Sequence, residues 1–573
     1  MPPADSTIAR LSGESIQFSH RTGDVRRARR GRTANPRPWI PSSPGRGGVV
    51  TDRTIVRNRR TGPWRSTRAV ALLALALACV PALACAAEPT LQEAARAAGL
   101  RVGVLADRRS AAENALLTSE FELLVAHGFS WSVIHPRRDS WNFGPADQVV
   151  AMAGDRPVLG MHFVWDQVLL DDAASWVLAI TDPDELRAVL REHLRTIHAR
   201  YGSKLGALTV VNEPLETTGG ALHVNHFHRV LGADWVAEVF SIARDEAPGT
   251  TLILNENFTE YFPAKADGLV ALVAGLVRDG APIDAVGFQT HLLFGEPDWD
   301  RMRRTMKAIG DLGLRVLVTE LDAPVAADQP DRLALQAERT VRVVRTCLLV
   351  PACDTVVWWG LHDGLTWLDG FLSPGLSPLL FHATLAPKPS YFAARDAFHA
   401  HAPRDLAGRL LRVKDSPVSA ARRRIALSSR DPQLAVGDGD PRALGASLRV
   451  VNRETGEQAV IDLPPERWSA LPPTAGEPGF AFRGTPDDAC QGVRLRPGRA
   501  LEASCRGPGI AFTLDEASQG ALVAELRVDG APLQCFRFGG DVERDEGHDG
   551  ARGGAFVARR APATAACVPA DVP

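Results

Sequence analysis

The sequence predicts an α/β protein: a (β/α)8 TIM barrel followed by a smaller all-β domain, either a sandwich or a barrel. Three observations carry that expectation. Between residues 89 and 402, short apolar runs alternate with helix-length amphipathic stretches, the pattern of strands buried on both faces in a parallel sheet. Two of those runs, LTVVNEPL (Leu208 to Leu215) and VLVTELD (Val316 to Asp322), bring a glutamate to the strand end, where an open barrel face would receive it. From residue 403 to 573 the helical period fades, Gly and Pro rise, and turn-like ETGE and RPGR separate β-like runs.

Two segments precede the barrel. Residues 1 to 68 hold fifteen Arg, no Lys and four acids (Asp5, Glu14, Asp24, Asp52), a net of +11, and read as a solvated, disordered extension or as sequence upstream of a later start near Val50. Subtracting +11 from the whole-chain −2 leaves −13 for everything after residue 68, which argues against nucleic acid or an anionic surface as partner. Residues 69 to 88 read as a secretory signal peptide: an apolar run, AVALLALALACVPALACA, follows Arg65 and Arg68. Pro81 interrupts the run and argues against a stable membrane span. The expected location is secreted or periplasmic, with lipid anchoring at Cys79 or Cys85 as the alternative. Six cysteines then remain for an oxidising compartment. Cys347 and Cys353 lie close together and are expected to pair, whereas Cys490, Cys505, Cys535 and Cys567 allow three pairings.

Taken in order, the candidate barrel strands are Val102 to Leu105, Trp131 to His135, Val158 to Trp165, Leu208 to Asn212, Thr251 to Asn255, Ala285 to Thr290, Val316 to Glu320 and Val356 to Gly360. Pro183 to Tyr201 and Leu333 to Leu348 are among the helices between them. In this fold active sites sit at the carboxyl ends of the strands, so Glu213 and Glu320 face one cleft. A pair of carboxyl groups flanking a cleft suits glycoside hydrolysis, where one donates a proton and the other attacks or stabilises the sugar.

The motifs fall in a recognisable order: VVNEPL at the fourth strand, LNEN (Leu254 to Asn257) at the fifth, AVGFQTHL (Ala285 to Leu292) at the sixth, VTELD at the seventh, WWGLHDGLTWL (Trp358 to Leu368) at the eighth, then SPLLFHATLAPKPSY. Residues 98 to 400 thereby resemble glycoside hydrolase family 10, the endo-1,4-beta-xylanase family. The resemblance implies Glu213 as general acid/base and Glu320 as nucleophile of a retaining reaction. It also implies that Asn212 bonds the sugar 2-hydroxyl, that His291 backed by Asp322 orients Glu320, and that Gln289 lies beside the reacting sugar. Trp359 and Trp367 would offer flat faces to a pyranose, joined by Trp165, while Trp358 turns to the core because strand neighbours alternate. CLLVPAC stands where the family often carries a disulfide. Asp363 is expected to brace the loop of Trp367, and Glu256 to sit beneath the site.

The departures cluster after the second and third strands. In VAHGFSW, His127, Gly128 and Ser130 stand where the family has Glu, Asn and Lys; in GMHFVWDQ, Met161 and Asp166 replace two histidines. His127 and Asp166 are therefore candidate sugar contacts of a different kind; His162 is a candidate to compensate for the lost histidine, although alternation points it to the other side. The expected substrate is a β-1,4-linked polysaccharide, xylan first; the alternatives are a β-1,4-glucan or heteroxylan, or a carbohydrate-binding protein on a glycanase scaffold. No cofactor or metal is implied, and a monomer is expected. In the β-rich domain Trp468 is the only Trp and Tyr is absent, a thin platform for sugar stacking, and GDVERDEGHDG reads as a solvated turn.

Overall fold

The computed structural model describes residues 88–106, 110–166, 175–372, 374–437, 439–474, 477–549 and 552–563. The Arg-rich extension, residues 69–87 of the signal segment with Cys79 and Cys85, and Cys567 lie outside the described residues. Among the described residues no helix is long and apolar enough to cross a membrane.

Eight parallel strands close a barrel in sequence order: β1 (Arg101–Leu105), β2 (Leu123–Ala126), β3 (Val158–Gly160), β4 (Leu205–Asn212), β5 (Thr251–Glu256), β6 (Ala285–Phe288), β7 (Arg315–Leu321) and β8 (Cys353–Trp358). Closure is made by β1 on β8, with Val102 opposite Val356. Alternation sends Val125, Leu159, Ile253, Leu317 and Val357 into one buried cluster inside the barrel, and their neighbours Leu124, Val158, Leu254, Val318 and Val356 into the layer beneath the helices.

Two strand expectations are corrected. The second strand is Leu123–Ala126, and Trp131–Ile134 is a helical turn. WSVIH alternates like a strand, but Trp131 and Ile134 are the buried pair, three apart on one face of a turn. The third strand stops at Gly160 instead of Trp165; the chain leaves the sheet through a cis Met161–His162 peptide and touches β4 again at Val164.

Helices Pro183–Tyr201 and Arg332–Leu348 occupy the stretches read as helical. The first starts where Asp182 accepts the Glu185 N–H at 2.8 Å, with Pro183 at its first position. The Cys347–Cys353 disulfide, S–S 2.05 Å, ties the end of the second to the start of β8.

The C-terminal region is a β-sandwich. One sheet has eight strands and the other five, and their inner faces share one core that includes Leu411, Leu427, Leu448, Ile461, Phe536 and Phe556. ETGE joins the antiparallel strands Ala446–Asn452 and Gln458–Leu463, and RPGR joins Cys490–Arg496 to Ala500–Arg506. Cys490 pairs with Cys505 across that second hairpin. Trp468 is buried in the core, its indole N–H on the Leu463 carbonyl, so it offers no stacking face. The stretch read as a solvated turn contains a strand, Asp541–Glu546, paired with Ala555–Ala561.

Candidate active site

The residue after β4 is Glu213, and it sits in the left-handed region at φ 50°. That conformation costs a non-glycine residue of order 1–3 kcal/mol and is held by its surroundings. Here the Glu213 N–H donates to the Asn255 carbonyl on β5 at 2.9 Å, and the ring of Pro214 fixes φ at the next position. The side chain is partly buried. Its Oε1 accepts from Gln289 Nε2 at 3.0 Å and faces Asn212 Nδ2 at 3.4 Å.

Glu320, next to last on β7, is 3% exposed. Its Oε1 accepts from Asn255 Nδ2 at 2.7 Å, and its Oε2 lies 3.3 Å from His291 Nε2. His291 Nδ1 lies 3.1 Å from Asp322 Oδ2, which also accepts the Trp367 indole N–H at 2.7 Å. Amides link the two glutamates. Asn212 Oδ1 accepts from Gln289 at 3.2 Å and from Asn255 at 2.8 Å, and Thr319 Oγ1 donates to Asn255 Oδ1 at 2.6 Å. Gly287 makes this possible, since a Cβ there would stand 2.3 Å from Asn255 Oδ1. Asn255 and Thr319 are the site residues that sequence reasoning missed. Both lie inside motifs quoted above, LNEN and VTELD, at the carboxyl ends of strands five and seven, but neither was given a role.

The charges follow from burial and contact. Burial alone would lower the His291 pKa, but the facing Asp322 and then Glu320 outweigh it and push it up to about 10, so the ring is an imidazolium. Burial raises the Glu320 carboxyl, and hydrogen bonds from His291 and Asn255 oppose that rise. Beneath Glu213, Glu256 is fully buried and pairs with Lys265 at 2.9 Å. Burial pushes the Glu256 carboxyl up and Lys265 holds it down. The same carboxylate accepts the Leu215 N–H at 3.1 Å and the Asn257 N–H at 2.9 Å, which fixes the chain beyond Glu213.

The segments after β2 and β3 are built differently from the expectation. His162 points into the site and not away from it, because β3 has already ended at Gly160 and strand alternation no longer applies. Its Nδ1 is 2.8 Å from Thr209 Oγ1 and its Nε2 is 4.0 Å from Glu320 Oε1. Burial, then the neighbouring His127 and His291, hold its pKa well below the usual imidazole value, so it is neutral. Met161 joins the barrel interior. Trp359 lies among three imidazoles, with ring centres 6.2 Å from His127, 6.4 Å from His162 and 6.3 Å from His291. Trp358 packs on Phe121 in the core. Trp165 meets His162 edge-on at 5.2 Å, and its buried indole N–H has no protein partner among the described residues. Asp166 pairs with His223 at 3.4 Å, joining the loops after β3 and β4.

Gly128 and Ser130 are used in packing. A Cβ on Gly128 would meet the Ala146 nitrogen at 2.9 Å, and buried Ser130 donates to the Met161 carbonyl at 3.1 Å. Asp363 accepts from Lys388 Nζ at 2.9 Å and from the Leu379 N–H at 2.9 Å, bracing the segment after Trp367.

A closed parallel barrel with two glutamates, an imidazolium and indole faces at its carboxyl end defines a glycoside hydrolase. The chain belongs to glycosyl hydrolase family 10, whose sequence model matches residues 90–397. It is 29% identical over 283 residues to endo-1,4-beta-xylanase B of Thermotoga neapolitana, spanning 48% of this chain and 80% of that one. Against endo-1,4-beta-xylanase A of Fusarium oxysporum f. sp. lycopersici it is 31% identical over 278 residues, 46% of this chain and 83% of the other. Among solved structures, native xylanase 10B from Thermotoga maritima superposes with TM-score 0.50 at 28% identity, over 54% of this chain and 98% of that one. Xylanase 10B from Thermotoga petrophila in complex with xylobiose gives TM-score 0.51 at 26% identity, over 54% and 97%. The protein is thus a xylanase-like glycoside hydrolase with an added β-sandwich.

Proposed function

We propose that the protein is an exported retaining hydrolase of β-1,4-linked xylan, with Glu213 as acid/base and Glu320 as nucleophile. In the first step a Glu320 oxygen attacks the anomeric carbon as Glu213 gives its proton to the departing glycosidic oxygen. In the second, Glu213 takes a proton from water, and that water displaces Glu320 from the sugar with overall retention. The observation that carries this reading is the asymmetry of the pair. Glu320 is buried, and a cationic His291 and an Asn255 donor oppose the rise that burial imposes on its carboxyl, whereas Glu213 is partly exposed and bonded to amides. Retaining chemistry needs carboxyl groups about 5–5.5 Å apart. Asn212 contacts the sugar 2-hydroxyl, Gln289 the reacting sugar, and Trp359, Trp367 and Trp165 its flat faces.

His127, Asp166 and neutral His162 line the glycone side. Because Gly128 and Ser130 serve packing, that side offers fewer polar contacts than the family pattern, which favours a decorated heteroxylan as a second reading. Each missing hydrogen bond to a buried hydroxyl is worth roughly 0.5–3 kcal/mol. Sugar release from xylan, arabinoxylan, mixed-linkage glucan and cellulose, with Glu320→Ala as control, tests the proposal. Xylan or arabinoxylan cleavage that the control lacks supports it; cleavage of cellulose alone, or of nothing by a folded protein that binds glycan, rejects it.

A further inference from the structure

The C-terminal sandwich holds a cavity that the barrel chemistry does not use. It opens on the outer face of the five-stranded sheet and has a volume of about 310 Å³, at the small end of ligand pockets, about 300–1,000 Å³. Strand register builds it. Ala446–Asn452 runs between Gln458–Leu463 and Leu522–Val528, so Ser447 stands beside Arg527, and Arg449 stands between Val460 and Glu525. Their strand neighbours Leu448, Ile461 and Leu526 face the sandwich core, which leaves this row on the outer face.

The lining is chemically uneven. Glu525 is buried, 4% exposed, and is shared by two guanidiniums, Arg449 at 3.3 Å and Arg453 at 3.2 Å. Arg449 also donates to Gln458 Oε1 at 2.7 Å, so it is held from two sides. Arg527 is exposed; it acts on the Asp529 carboxyl through space but, among the described residues, makes no hydrogen bond or ion pair. Val460, 53% exposed, gives the lining an apolar surface open to solvent. Glu525 is thus already satisfied by its two arginines, and the remaining guanidinium of the lining is a planar fork suited to a carboxylate.

We propose that this cavity binds a carboxylate-bearing saccharide: Arg527 takes the carboxylate, Ser447 and Gln458 take sugar hydroxyls, and Val460 lies under the ring. The guanidinium fork assigns the anion. The choice of a saccharide as its carrier rests on the glycanase reading of the barrel.

The test uses the full chain carrying Glu320→Ala, run in native gels containing either glucuronoxylan or neutral arabinoxylan, with D-glucuronate and inorganic phosphate as competitors. Arg527→Gln is expected to weaken retardation by glucuronoxylan at least five-fold and to leave retardation by arabinoxylan unchanged. Ser447→Phe, which fills the cavity while retaining Arg527, is expected to do the same, and D-glucuronate to compete better than phosphate. The proposal is overturned if Arg527→Gln matches its parent on glucuronoxylan, if both polymers are lost together, or if phosphate competes as well as glucuronate. Xylotetraose hydrolysis by the chain with Glu320 intact separates the two readings. Arg527→Gln should leave it unchanged, and its absence in the parent chain would sink the glycanase reading without altering the gel result.

Discussion

At the scale of single residues, the site is a charge arrangement around Glu320. His291 is held at a pKa of about 10 by Asp322 and Glu320 against its own burial. Because the folded value lies above the unfolded one, about 6.5, the associated stabilisation is complete below about pH 6.5 and is lost progressively as pH rises through about 10. Asp322→Asn removes the first of these partners, so the alkaline limb of kcat/KM is expected to move to lower pH, which a pH–rate profile measures; an unmoved limb would contradict the account. Glu213→Ala should cost about 10²–10⁴ in kcat as an acid/base loss. Added azide should restore part of the rate on a substrate with a good leaving group, since that anion can replace the attacking water, and kinetics with and without azide decide it. Both glutamates were legible in the sequence because each ends an apolar run. His162 was not, because strand alternation does not extend past the end of a three-residue strand. Asn255 was hidden for another reason: one buried amide on a strand has no signature until its partners Asn212, Thr319 and Glu320 are in place.

At the scale of elements, two buried polar contacts hold loops and helices to the barrel. The Glu256–Lys265 pair joins the end of β5 to the helix Pro263–Arg278, and the same carboxylate fixes the chain after Glu213. Lys265→Met leaves Glu256 uncompensated and should cost about 3–5 kcal/mol, read as a lowered urea midpoint. His193, on Pro183–Tyr201, stacks on Trp131 at 3.6 Å and its Nδ1 lies 3.2 Å from His135 Nδ1. Burial holds both pKa values below the ordinary imidazole value. Their contribution to stability is therefore full above about pH 6.5 and is lost as pH falls below it. His193→Phe should flatten that acid-side decline in a series of melting temperatures, and an unchanged slope would contradict it. This aromatic layer also explains the misread second strand: WSVIH supplies Trp131 and His135 to the stack from a helical turn, while the real strand is the shorter LLVA.

At the scale of the whole molecule, a barrel and a β-sandwich divide the described chain, and both were legible from where the hydrophobic period changes. The all-β character of the C-terminal domain was readable from its turns, ETGE and RPGR, but the choice of sandwich over barrel and the placement of Trp468 in the core depend on packing between sheets that no local pattern displays. Opening the Cys347–Cys353 link with a double Ala substitution should destabilise the barrel by about 2 kcal/mol, the value for so short a loop, and denaturant unfolding under oxidising conditions measures it. Double displacement requires Glu320 to form a covalent bond to the sugar. Incubation with a 2-fluoro-xylobioside bearing a good leaving group, followed by peptide mass spectrometry, detects that bond. One fluoroxylobiosyl adduct is expected, on the peptide containing Glu320, with activity lost in step; continued turnover without an adduct, or an adduct on another residue, rules out Glu320 as the nucleophile.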